Sequence, residues 1–274
     1  MLAPSELPNL TTLQYPLYVS PKLDGFRAVY WNGQFYSRTG KPMPNVQLES
    51  YFKALSGLQD VVLDGELYAH GIPFQDLSKT LTNENKPISI QLKYNVYDAI
   101  PTADWVKQKT TLDYTDRLKL VRSTVNAIAD YKKVIDVAAD LAQNAAEVAE
   151  LYKKYLNLGY EGCMLKAKDG KYQWKRVSLK SGEMLKLKPF KSADLEVTGV
   201  YEGEGKYEGK AGGITVDYNG TSIRVGSGFD DATREILSKE PSKYIGKTAE
   251  IKYFEETEDG SLRFPIFERW REDK

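Results

Sequence analysis

Residues 20–41 read SPKLDGFRAVYWNGQFYSRTGK, two apolar and aromatic runs joined by Asn32-Gly33. A type I′ turn needs positive φ at both central residues, and Asn-Gly supplies it. The spacing therefore predicts a β-hairpin whose second strand ends at Ser37-Arg38. Lys22 lies on or just before the first strand, directly after Pro21, where a strand would ordinarily carry an apolar residue. Asp24, Gly25 and Arg27 follow at once. A cation in that position either blunts an edge strand against aggregation or serves chemistry.

Outward from the hairpin, VVLDGELYAH (61–70) and LKYNVYDAI (92–100) read as further strands, the second stopped by Pro101. Helical spacing follows. Leu120, Val121, Val125 and Ile128 share a face over 116–131, with Thr115 or Asp116 able to cap it. Ala145, Val148, Leu151, Tyr152 and Tyr155 share one over 143–158, which Gly159 ends. YEGCMLKAK, with Glu161 near its start, and MLKLKPF return to strand patterns. Past Phe190 the chain changes character. LEVTGVY, GITVDY-NG-TSIRVGSG, TAEIKYF and RFPIFERW are short strands between turn signals, with one helical piece, DDATREILSKE. That content suits a small Greek-key barrel of the OB type. The predicted class is α+β: a domain of antiparallel sheets and helices over 1–189, then an OB-fold β-barrel over 190–274.

The chain has 274 residues, 41% apolar and 28% charged, which is ordinary for globular domains. No run approaches 18 apolar residues, so no transmembrane helix is expected. The opening MLAPSELPNL lacks the basic start and apolar core of a secretory signal. One cysteine, Cys163, and one histidine, His70, leave no C-x-x-C knuckle and no multi-histidine zinc site. A reducing, cytoplasmic setting fits. The zero net charge conceals an asymmetry. Residues 1–189 hold 25 Lys and Arg against 20 Asp and Glu, and the remainder hold 13 against 18. Residues 166–188 concentrate the excess, with eight cations, two acids, Tyr172 and Trp174. Such a run is either a solvated basic face or a track for a phosphate backbone.

Taken singly, the remaining strings are weak. Asp64-Gly65-Glu66 suits a hairpin loop, Glu161-Gly162 a strand entry, and Lys186-x-Lys188 a solvated strand face. Their order is informative. Lys22–Arg27 (KLDGFR), Leu63–Glu66 (LDGE), Val96–Asp98 (VYD), Glu161–Lys166 (EGCMLK), Leu185–Lys188 (LKLK) and Arg263–Phe267 (RFPIF) with Glu268–Asp273 follow one another along nearly the whole chain. They resemble, in sequence order, the motifs of the covalent nucleotidyltransferases, which comprise ATP-dependent polynucleotide ligases and mRNA capping enzymes. The RFP form of the last motif is more typical of DNA ligases than of capping enzymes.

The resemblance implies an ATP-dependent DNA ligase serving replication, repair and recombination. Lys22 is then the nucleophile that forms a lysyl–AMP phosphoramidate. A free lysine amine titrates near ~10.4, so the nucleophile needs partial desolvation and neighbouring cations, here Lys188 and a metal. Lys186 and Lys188 are implied to bind the α-phosphate. Glu66 is implied to contact the ribose or a metal's water shell, and Glu161 to do the latter, with Mg²⁺ as the ion and Mn²⁺ able to replace it. Tyr97 stacks on adenine; its alternative is plain strand packing. Asp24 and Arg27 lie near the ribose and the 3′-hydroxyl end, Arg38 holds phosphate in later steps, and Arg176 grips the 5′-phosphate. Arg263 orients the β- and γ-phosphates.

The implied partner is nicked double-stranded DNA, met by a monomer without membrane or obligate protein partner. Only 21 residues precede Lys22, which implies a minimal ligase without the upstream domain of larger relatives. The short VYEGEGKYEGKAGGITV implies the latch-free type found in phages and some bacteria. An RNA ligase, a capping guanylyltransferase and a non-catalytic nucleic-acid-binding module are the rival readings.

Overall fold

The computed structural model describes residues 1–274 except 5–7, 129, 254, 258 and 272–274. Glu272 and Asp273, placed with the last motif above, lie outside the described residues. Two compact units divide the chain, Met1–Leu187 and Lys188–Lys274.

In chain order the first unit contains β1 (Leu17–Lys22), β2 (Phe26–Trp31), β3 (Gln34–Ser37), α1 (Leu48–Tyr51), β4 (Val61–Tyr68), α2 (Phe74–Leu81) and β5 (Lys93–Pro101). It continues with α3 (Thr102–Lys107), α4 (Tyr114–Ile128), β6 (Val134–Asp136), β7 (Asp140–Ala142), α5 (Ala145–Asn157), β8 (Gly162–Ala167) and β9 (Met184–Leu187). These strands form two sheets, β3-β2-β4-β5-β6 and β7-β1-β8-β9. The Asn32-Gly33 hairpin forms as its turn chemistry dictates, with φ of 49° and 79°.

Lys22 is placed differently from the simplest reading of the sequence. It does not lead into the hairpin's sheet. It ends β1 in the other sheet, and the chain crosses over at Leu23–Gly25. The crossing runs tight against β4. A Cβ on Gly25 would stand 2.5 Å from the Leu67 carbonyl oxygen and 2.9 Å from Cγ of Glu66. Pro21 is tolerated because β7 covers only Leu17–Val19, leaving β1 with one neighbour at that point.

Alternation along the strands decides which face is buried. In the second sheet Leu17, Val19, Cys163, Leu165 and Leu185 pack with Val148 and Tyr155 of α5. The intervening Ser20, Lys22, Met164, Lys166, Met184 and Lys186 therefore share the opposite face. The first sheet buries Phe35, Leu63, Leu67 and Tyr94 with Phe52 and Leu77. The buried Tyr94 hydroxyl donates towards the carbonyls of Leu63 and Ala28, at 2.8 and 3.0 Å. α4 starts two residues before the expected position. Its first turn is capped by Asp113, which accepts from Asp116 N–H at 2.9 Å, rather than by Thr115 or Asp116. α5 is capped by Asn144, which accepts from Glu147 N–H at 3.0 Å.

The second unit contains β10 (Lys191–Glu202), β11 (Ala211–Tyr218), β12 (Thr221–Val225), α6 (Asp231–Lys239), β13 (Thr248–Tyr253), β14 (Glu255–Glu256), β15 (Leu262–Arg263) and β16 (Ile266–Trp270). Its main sheet has the order β12-β11-β10-β13-β16 around Val197, Ile214, Val225, Leu237 and Ile251. The expected barrel is only partly closed among the described residues. Its outer strands are joined by a bridge between Ser227 and Ile266, with Phe267 N–H donating to Ser227 O at 2.9 Å. RFPIF breaks into two strands because Phe264 takes a φ of 51°. No described helix is long and apolar enough to cross a membrane.

Candidate active site

A cavity of about 220 Å³ opens in the first unit and takes residues from both of its sheets. Register explains the second sheet's share. Ser20 lies opposite Met164, which lies opposite Lys186, while Lys22 lies opposite Gly162. Positions two apart on one strand point the same way, so Ser20, Lys22, Met164, Lys166, Met184 and Lys186 reach the cavity together. The Lys22 side chain is 21% exposed and lines the cavity. Its Nζ donates to the Glu161 carboxylate, and Glu161 N–H donates to the Lys22 carbonyl at 3.2 Å. The ion-pair partner of the lysine is thus Glu161, one of the acids singled out in the sequence.

The first sheet contributes Arg27, opposite Glu66. The Arg27 guanidinium forks onto Asp64 at 2.9 and 2.7 Å and also donates to the Tyr172 hydroxyl at 3.1 Å. Tyr172 in turn donates to Asp64 at 2.7 Å. Burial works to raise the Asp64 pKa, but Arg27 overrides it and holds the carboxyl at about 2. Glu66 lacks such a fork. Burial pushes its carboxyl up to about 8, against the pull of Lys22 and with help from the Asp64 charge.

The register of β4 against β5 slips between Asp64 and Gly65, so that Asp98 faces Asp64 while Val96 faces Gly65. Tyr97 is the extra residue of this bulge. A bulge re-aims side chains, and here Tyr97 and Asp98, neighbours in sequence, both line the cavity. The Tyr97 hydroxyl stands 3.5 Å from Glu66. Lys166 donates to the Tyr97 carbonyl at 3.2 Å and to Asp98 at 3.1 Å, with its ammonium 5.0 Å from the Tyr97 ring centroid. Asp98 also accepts from Arg117 of α4 at 2.7 Å. Burial lowers the Lys166 pKa, which the Asp98 charge resists; burial raises that of Asp98, and its two cations bring it back below the usual value.

Of the residues singled out in the sequence, Lys22, Arg27, Arg38, Glu66, Tyr97, Arg176 and Lys186 line this cavity, and Glu161 meets it through Lys22. Asp24 is exposed and is not among the lining residues. Lys188 and Arg263 belong to the second unit. The sequence reading missed Asp64, Asp98, Lys166 and Tyr172. Three of them sit inside strings it had quoted, LDGE, VYD and EGCMLK. The available signal was an acid or lysine on a strand otherwise buried on both faces.

Residues 6–188 match the family model described as ATP dependent DNA ligase domain, and residues 202–271 match DNA ligase OB-like domain. The chain is 27% identical over 259 residues to a DNA ligase of Haemophilus influenzae, covering 93% of this chain and 86% of that one. It is 27% identical to the DNA ligase of phage T4, but spans only 45% of that protein's length. A crystal structure of Chlorella virus DNA ligase–adenylate is 29% identical, with a TM-score of 0.60, and the match covers 100% of this chain and 98% of that one.

Proposed function

Because the chain belongs to the ATP-dependent DNA ligase family, we propose that it seals nicks in duplex DNA through a lysyl–AMP intermediate on Lys22. The observation that carries the reading is the convergence of Lys22 with Lys186, Arg27, Glu66 and Tyr97 around one cavity. In the first step Lys22 Nζ attacks the α-phosphorus of ATP. An N–P bond forms, the bond to pyrophosphate breaks, and the amine gives up a proton. In the second step an oxygen of the 5′-phosphate at the nick displaces the lysine and takes the AMP. In the third the 3′-hydroxyl attacks the 5′-phosphorus and expels AMP.

The roles follow from chemistry and position. Lys186, with Lys188, offsets charge on the α-phosphate as it builds. Tyr97, held from beneath by Lys166, offers a ring face to adenine. Glu66, opposite Arg27 at the cavity wall, is placed to contact a ribose oxygen. Arg38 and Arg176 serve the 5′-phosphate, Asp24 and Arg27 the ribose and 3′-hydroxyl end, and Arg263 the β- and γ-phosphates. No cluster of three or more metal-ligating side chains occurs among the described residues. Mg²⁺ needs no such cluster, since it keeps several waters and takes one or two carboxylates beside substrate phosphates. Glu161 and Glu66 would hold its water shell, and the ion would supply charge neutralisation at the polyphosphate. For Lys22 the prerequisite is separation from Glu161, since the carboxylate lies against the same nitrogen whose lone pair must reach phosphorus.

The same reading takes 1–189 as the adenylation domain and 190–274 as the OB domain of a cytoplasmic monomer acting on nicked DNA. The test is covalent labelling with α-labelled ATP and Mg²⁺. Wild type acquires label and Lys22→Ala does not; equal labelling of the variant refutes the assignment. GTP in place of ATP, and nicked RNA in place of nicked DNA, separate the capping and RNA-sealing activities from this one.

A further inference from the structure

Beside the nucleotide cavity lies a second one of about 450 Å³, within the range of small-ligand sites. Three of the chain's four tryptophans line it, Trp31, Trp105 and Trp174, together with Tyr36. All four rings are half-buried. Trp31 and Tyr36 are diagonal neighbours across the β2–β3 hairpin with centroids 6.0 Å apart, and Trp105 and Trp174 stand 5.9 Å apart. Aromatic side chains that only fill a core close up on one another and leave few voids. Trp105 and Trp174 pack on each other and on Tyr172, yet with Trp31 and Tyr36 they also border this open cavity.

The charged lining is one-sided. Arg27, Arg38 and Lys175 lie at the cavity, and among the described residues no carboxylate lines it. Arg38 lines the nucleotide cavity as well, as do Met1, Leu2, Arg27 and Tyr172, so the two cavities share a wall that includes that guanidinium. The Trp174–Lys175 segment is fixed from behind. Leu2 N–H donates to the Lys175 carbonyl at 3.1 Å, and Val177 N–H donates to the Leu2 carbonyl at 2.9 Å. Flat rings with cations and without acids are the chemistry that receives an unpaired nucleobase and its phosphate.

We propose that this aromatic cavity binds the unpaired base of the 5′-terminal nucleotide at a strand break, while that nucleotide's phosphate lies on Arg38 between the two cavities. The proposal rests on the reading that adenylated Lys22 meets a 5′-phosphate. Extrusion of a base is least costly where the base is already mismatched or single-stranded. The enzyme is therefore expected to hold breaks with an unpaired 5′ nucleotide by that base, whatever its identity.

The experiment is a double-mutant cycle between DNA and protein. Two nicked duplexes are compared, both ending in a 3′-dideoxy nucleotide so that nothing is sealed. One carries an unpaired 5′-phosphorylated base, the other an abasic residue at the same position. Wild type is expected to bind the first about tenfold more tightly or better, the scale of one base stacked on an aromatic ring. Trp31→Ala should abolish the difference and Trp31→Tyr should restore it, with covalent labelling by ATP unchanged in both variants. An equal abasic penalty in wild type and Trp31→Ala overturns the proposal. So does quenching of tryptophan fluorescence by free dAMP as strong as that by the 5′-phosphorylated strand, which would assign the cavity to mononucleotides. Failure of wild type to take label from ATP would instead refute the reading of Lys22, and so remains distinguishable.

Discussion

Replacing Arg117 by methionine should destabilise the first unit far more than any exposed charge on the same helix. Arg117 is 1% exposed and makes four contacts: 2.7 and 3.4 Å to Asp98, 2.9 Å to the Leu112 carbonyl and 3.0 Å to the Gly170 carbonyl. Methionine keeps most of the volume, so the loss is electrostatic rather than a cavity. Of its two cations Asp98 would keep only Lys166, and one buried and one partly buried carbonyl would lose a charged donor. Breaking a buried ion pair on one side costs about 3–5 kcal/mol. At about 2–4 °C per kcal/mol for a unit of this size, the melting temperature falls by about 6–20 °C. Arg122 lies on the same helix and pairs with Asp136 at 3.9 Å, with both side chains well exposed. Arg122→Met should cost no more than about 1 kcal/mol. Urea unfolding followed by near-ultraviolet circular dichroism gives both values on the full chain. The reasoning fails if Arg117→Met costs less than about 1 kcal/mol or no more than Arg122→Met.

Asp64 titrates at about 2 in the folded chain against an ordinary 3.8, so the unfolded chain takes the proton first as pH falls. The resulting stabilisation, about 2 kcal/mol, is complete above the ordinary value and disappears on descent through the folded one. Asp64→Asn should remove that acid limb from a plot of urea midpoint against pH. Glu66 has the opposite sign. Its folded pKa of about 8 exceeds the ordinary 4.5, so its contribution is complete below the latter and is lost as pH rises through the former. Glu66→Gln should therefore flatten the decline of the same plot between about pH 4.5 and 8, by about 3–5 kcal/mol at most. Gly25→Ala drives a Cβ to 2.5 Å from the Leu67 carbonyl. With the crossover displaced, single-turnover labelling of Lys22 should slow by about a hundredfold. Gln34→Ala, on the exposed end of the hairpin away from the nucleotide cavity, should leave labelling unchanged.

What could be read from the sequence was what is local. Both Asn-Gly turns adopt positive φ at both residues, Asn32-Gly33 and Asn219-Gly220, and alternation identified the long strands. The site strings were legible because each is a short contiguous run on or beside one strand. What escaped is what depends on partners far along the chain. The three-residue strands β6 and β7 carry too few residues to show a period. α2 hides behind Gly71-Ile72-Pro73, a turn signal that starts it rather than excluding it. Asp98 and Lys166 are 68 residues apart and Arg27 and Tyr172 are 145 apart, so neither pairing has a local mark. The bulge at Tyr97 is likewise set by β4, not by the residues around it.

Register, more than any single side chain, makes the first cavity. β1 and β8 pair so that Lys22 meets Gly162 and Ser20 meets Met164, and β8 and β9 pair so that Met164 meets Lys186. A slip of one residue would exchange the two faces of a strand. For β1 it would turn Leu17 and Val19 out of the α5 core and direct Lys22 into it. Such a slip is opposed by the transfer of several buried aliphatic side chains to water, at about 1.5–3 kcal/mol each. The aliphatic face thus fixes the position of the polar one. The first sheet works by the opposite device: there a deliberate irregularity between Asp64 and Gly65 brings Tyr97 to the cavity beside Asp98. The amine comes from strict alternation and the ring from its interruption. The link between them is the short crossing at Leu23–Gly25, which passes close over Glu66 only because Gly25 has no side chain.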